Sequence, residues 1–272
     1  MNKREQFHKA VMQITDELNS LGVDLPPMLK RRDRREPGRE EKEHIEDRIT
    51  MLFRRYFKRQ KEKLLLYLTT RFADRKDIIE PIDPIDDLLD GAADDEFIAD
   101  LIKLIAQAGV GGVNLFKQAV TIGIDYDLIN DKALDWARSY SYDKIKEIQI
   151  TTRDKVSRVI SRFIETPGFT IGDISDQLIN TFGVDRARMI AVTETTRAYA
   201  EGQLIAGKEM QKEFPDVRVT KEWFTNVDDR VCEICEPLDG KVVDINEDFD
   251  GGISEPPAHV NCRCWIQTRT RI

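Results

Sequence analysis

The chain has 272 residues, 40% hydrophobic and 34% charged, enough for one large globular domain or two ordinary ones. No window approaches the roughly 20 apolar residues of a membrane span, and residues 1–8 have no apolar run behind their charges, so neither a transmembrane role nor a signal peptide is expected. The net charge of -8 argues against general affinity for nucleic acid, yet it conceals a basic stretch over residues 30–63 beside an acidic one over 74–100.

Phe7, Ala10, Val11, Ile14, Leu18 and Leu21 recur at three- and four-residue spacing, which predicts an amphipathic helix over residues 3–21. Pro26 and Pro27 end it. Residues 30–43, almost free of apolar side chains and holding Pro37-Gly38, read as a linker or an exposed arm. From Ile45 a helical period runs through Ile49, Leu52, Phe53, Tyr56 and Leu64, with a densely basic opposite side. There Arg54, Arg55, Lys58 and Arg59 interleave with Phe53, Tyr56 and Phe57. That pattern suits a nucleic-acid surface, though more often such a helix simply buries its aromatics and solvates its charges.

Pro81 and Pro84 break the chain again. Residues 97–108 read as a short apolar helix stopped by Gly109, Gly111 and Gly112, and two further helices are expected over 128–140 and 145–164. Thr166-Pro167-Gly168 marks the expected boundary between a helical region, 1–165, and a second unit, 166–272. In that unit a short helix over 171–182 precedes a long one from about 186 to 213, with Asp185 as its N-cap. Strands follow over 218–225, 241–245 and 264–270, with Asp239-Gly240 as a turn. The expected fold class is α+β: a helical N-terminal half, then a long helix packed on a small antiparallel sheet stapled by a Cys/His cluster.

All four cysteines fall in two close pairs, Cys232/Cys235 and Cys262/Cys264, and His259 stands three residues before the second pair. A reducing cytoplasm is expected for a chain without a secretion signal, which favours metal ligands or free thiols over disulfides. Cys-x2-Cys lets two thiolates reach one ion from a turn, and Cys-x-Cys on an extended strand puts both sulfurs on one face. Zinc takes four such ligands. The four cysteines suffice, and His259 is a fifth candidate, with a Cys3His set leaving out Cys262 or Cys264. Thiols packed as small apolar groups are the rival reading, and disulfides a weaker one. A catalytic zinc lacks its usual His-rich ligands, and a Cys262–His259 nucleophile pair lacks an orienting third group.

On the long helix, Ala187, Ile190, Ala191, Glu194 and Ala198 share one face by spacing. A carboxylate among small apolar neighbours needs a cation or several donors. Arg188 or Arg197 of the same helix, or Arg230 and Arg263 of the cysteine segment, are the candidates, and a charged hydrogen bond from Arg230 or Arg263 is the expectation.

Several of these pieces recur together elsewhere. The helix A-R-M-I-A-V-T-E-T-T-R-A-Y from Ala187, the strand W-F-T-N-V-D-D-R-V-C-E-I-C from Trp223, the turn L-D-G-K-V and the terminal P-P-A-H-V-N-C-R-C resemble the phage Mu protein F-like head morphogenesis family, the minor head proteins of tailed phages. The resemblance covers about residues 168–268; Val260 departs from it where members often have proline. It implies a structural, non-enzymatic virion protein made in the host cytoplasm, bound to the portal protein and to capsid or scaffold proteins, and acting in head assembly or DNA delivery. Packaged DNA is a further implied partner; a membrane or a small-molecule substrate is not. The same module heads some phage-borne toxins, and the stop at Ile272 implies no such effector here. Two rival functions remain. One is a virion-delivered nuclease or transferase working around Glu194, Asp228 and Asp229. The other is a DNA-binding assembly factor using residues 30–63.

Overall fold

A computed structural model describes residues 36–71, 95–120, 124–166, 168–226 and 231–271. The expected helix over 3–21, most of the acidic stretch, and Asp228, Asp229 and Arg230 lie outside the described residues. Helix α1 (Arg39–Arg71) starts earlier than expected, directly after Gly38 in the left-handed region at φ 70°. Its first turns are polar but rich in helix formers, and Glu40 and Glu41 complement the N-terminal dipole. Phe53, Tyr56 and Phe57 are buried, Phe53 edge-on to Phe97 and Tyr56 stacked on it with ring centroids 4.4 Å apart. Arg54, Arg55, Lys58 and Arg59 line the exposed side.

Helix α2 (Asp95–Ala119) runs straight through the glycines expected to stop it. They serve its crossing with a later helix instead. A Cβ on Gly112 would stand 2.1 Å from the Tyr199 carbonyl oxygen, so the two backbones touch where any side chain would collide. The same helix is long and apolar enough to cross a membrane, but Leu101, Ile105, Val113 and Phe116 are buried within the fold. Helix α3 (Tyr126–Glu165) is one element of 40 residues, about 60 Å long, where two helices were expected. Nothing between Tyr140 and Ile145 is a glycine or proline, so the ladder has no reason to break. Asp125 caps it, its side chain accepting from the amides of Asp127 and Leu128.

The short helix divides into α4 (Ile171–Gln177) and α5 (Ile179–Phe182), the first opened by a Thr170/Asp173 capping box. Helix α6 (Val184–Glu213) follows; Gly183 holds the N-cap position without a side-chain bond, and Asp185 lies inside the first turn rather than capping it. α6 is the axis of the molecule. It contacts α1, α2, α3 and the sheet, and its residues from Ala191 to Thr196 are all buried. Three antiparallel strands, β1 (Arg218–Phe224), β2 (Val242–Asp244) and β3 (Trp265–Arg271), stand in the order β2-β1-β3. Phe224 opposes Trp265 in register and stacks on it at 4.2 Å. Gln203 of α6 donates to the Ile266 carbonyl at 3.0 Å, fixing helix to sheet.

Two buried clusters straddle residue 166. One joins α1, α2, α3, α4 and α5 to Ala187, Ala191 and Ala198. The other joins Val113, Phe116 and Ile129 to the far half of α6, the sheet and Cys235, Cys262 and Cys264.

Candidate functional site

Two tight turns assemble the cysteine segment. In the first, the Cys232 carbonyl accepts from the amides of Cys235 and Glu236 at 3.0 and 2.9 Å, which folds the Cys-x2-Cys pair onto itself. Asp239 secures it to the end of β1, its Oδ1 accepting from the amide and the hydroxyl of Thr225 at 2.8 Å each. In the second turn the Cys262 amide donates to the His259 carbonyl at 3.1 Å, and Asn261 takes the left-handed φ of 62° that asparagine tolerates better than most residues. The Asn261 amide donates to the Thr193 hydroxyl of α6 at 2.8 Å, and Asn226 donates to the Arg263 carbonyl at 3.0 Å. Both turns are thereby anchored to the core.

They bring all five expected ligands together. Cys232, Cys235 and His259 form one trio and Cys235, Cys262 and Cys264 another, with donor atoms within 4.8 Å of one another in each. The four sulfurs are free of disulfides, three of them buried, with Cys232 and His259 half-buried at the rim. Hydrogen bonds from the Cys235 and Cys264 thiols hold Cys262 well below the ordinary thiol range, so the cluster favours a thiolate. Thiolates with one imidazole are the donor set of structural zinc sites, and these residues fit such an ion.

Beside the cluster lies a groove of ≈ 860 Å³ between α1 and α6. Glu43, Glu46 and Asp47 face it from α1, Arg188 from α6, and Arg263 from the cysteine segment. Burial pushes the Glu46 carboxyl up to about 6, with the Lys42 charge opposing. At the groove's inner end Lys42 pairs with Glu36 at 2.7 Å, both nearly buried.

Glu194 is buried as its helical face implies, at 6% exposure, but its hydrogen-bond donor is the Tyr140 hydroxyl of α3. Burial raises its pKa, and that of Tyr140 with it. Of the two arginines expected to bond Glu194, Arg230 lies outside the described residues and Arg263 is not the partner, for a geometric reason. Val192 and Met189 turn toward the cysteine segment, and Glu194, two residues and about 200° further round α6, turns away from it. Arg263 bears on Glu46 across the groove, and Arg197 lies 3.9 Å from Glu255 while still drawing the Glu194 pKa down. Tyr140, Thr193 and Asn261 escaped the sequence reading. Only Asn261 carried a local signal, as an asparagine in a four-residue turn between two ligands.

All of this arrangement of helix, sheet and cysteine turns except the end of β3 falls within the match to the family described as Phage Mu protein F like protein, which spans residues 118–267, more than half of the chain. The chain belongs to the Phage Mu protein F-like family. Minor head protein GP7 of Bacillus phage SPP1 is 30% identical over 91 residues, which are 30% of this chain and 29% of that protein. The alignment therefore spans under a third of that relative. No solved structure matches the chain. The family match begins inside the helical half, ahead of the region in which motifs carry the resemblance, and takes in the whole of α3.

Proposed function

We propose that this chain is a structural minor head protein of a tailed phage, built into the virion head at the portal vertex and stapled by a structural zinc. Membership of the Mu F-like family carries the reading, joined by the likeness to a protein named as a minor head protein. The local chemistry agrees with it. Asp239, Thr193, Asn226 and Asn261 spend their hydrogen bonds on anchoring turns. Glu194 is satisfied by a tyrosine inside the core. A scaffold uses polar groups in this way. The zinc would join the two turns through their thiols and the imidazole, and such ions contribute folding free energy directly.

The docking partner in this reading is the portal protein, with capsid or scaffold proteins beside it. Mixing the purified chain with purified portal rings should give a complex that co-elutes on size exclusion, with binding that saturates. Separate elution at micromolar concentrations of both would remove the portal from the reading.

A further inference from the structure

His259 is already oriented as a ligand. Its Nδ1 lies 2.9 Å from the Val260 carbonyl oxygen, and a carbonyl only accepts, so Nδ1 carries the proton. In the neutral ring Nε2 is then the nitrogen with the lone pair, and it faces the sulfurs of Cys232 and Cys235 at 3.0 and 3.4 Å. Metal-bound imidazoles fix their tautomer with just such a carbonyl on the far nitrogen. On the buried side, the Cys235 and Cys262 sulfurs stand 3.8 Å apart.

These edges can be set against a zinc tetrahedron. Two thiolates on one zinc are about 3.8 Å apart, and a thiolate and an imidazole nitrogen about 3.6 Å. Of the six edges, the Cys235–Cys262 edge already matches, the Cys235–His259 edge is nearly there, and the Cys232–His259 edge would open by about 0.6 Å. Cys262, which lies outside the Cys232/Cys235/His259 trio, would draw in toward Cys232 and His259. Cys264 is placed differently. Alone among the cluster residues it also borders a small pocket around the Lys42–Glu36 pair, with Thr196 and Gln203 of α6. Its sulfur lies within 4.8 Å of those of Cys235 and Cys262 and also interacts with Trp223, while His259 belongs to the other trio.

We propose that the ion is held by Cys232, Cys235, His259 and Cys262, and that Cys264 is a packed thiol outside the coordination shell. This rests on the zinc reading above and specifies its site. The half-buried pair Cys232 and His259 would close over the buried pair Cys235 and Cys262, so the ion enters from the groove.

X-ray absorption at the zinc edge, on the full unmodified chain purified with zinc, should give three sulfurs and one nitrogen around one ion per chain. Four sulfurs would overturn the ligand set while leaving a zinc centre in place. A chain that takes up no zinc would overturn the zinc reading and this inference together. Native mass spectrometry on two variants separates the last pair of cysteines. Cys264→Ala should retain one zinc, and Cys262→Ser should bind it at least roughly a hundredfold more weakly, beyond what loss of an outer partner commonly costs. The reverse ranking would overturn the assignment, and should either variant fail to fold, the absorption spectrum of the unmodified chain still decides between three sulfurs and four.

Discussion

Glu46 sits on the groove wall with its pKa pushed by burial from 4.5 up to about 6. Between those values the folded protein keeps a proton that the unfolded chain has released. Stability from this group is therefore complete below about pH 4.5 and is lost as pH rises through about 6. The effect is at most about 2 kcal/mol, and water in the groove reduces it. Glu194, Glu201 and Glu255 are shifted in the same direction by burial, so the difference between two proteins is the useful quantity. Urea melts from about pH 4.5 to about pH 7 should show wild type losing stability that Glu46→Gln keeps; parallel curves would contradict the assignment. The burial of Glu194 was legible in the sequence because Ala187, Ala191 and Ala198 recur on its face. Its partner was not, because Tyr140 lies 54 residues away and nothing in a local pattern pairs them.

Periodicity located the helices and alternation the strands, and the misreadings lie where one residue type has two uses. Gly109, Gly111 and Gly112 read as a helix stop, since glycine costs helix propensity in any context. At the α2–α6 crossing that cost is offset by an approach no other residue permits, for a Cβ on Gly202 would stand 2.0 Å from the Gly109 carbonyl oxygen. The obstacle is backbone, which has no rotamer to turn aside. Gly202→Ala should consequently destabilise the protein by roughly 3 kcal/mol, at the upper end for overpacked sites. Thermal or urea unfolding measures it, and a variant as stable as wild type would mean that the helices do not cross this closely. The basic stretch had a similar double meaning. Its aromatics are core and its arginines are solvated, which follows from helical geometry once α1 has a neighbour to bury against.

At the scale of the whole molecule, α6 carries the helices on one half of its length and the sheet on the other, and the cysteine turns close against its first half. The clustering of the cysteines was legible because two short pairs and a histidine must meet to share one ion. The groove was not, since its walls come from α1 and α6, more than a hundred residues apart in sequence. Family membership reaches the chain through its C-terminal motifs together with α3. The proposed role is a seat at the portal vertex of the head, and incorporation tests it most directly. Heads are to be assembled with and without the portal protein, purified, and probed for this chain by quantitative mass spectrometry. The account predicts a fixed number of copies per portal-containing head and none in heads assembled without the portal. Equal amounts in both, or absence from both, would contradict it.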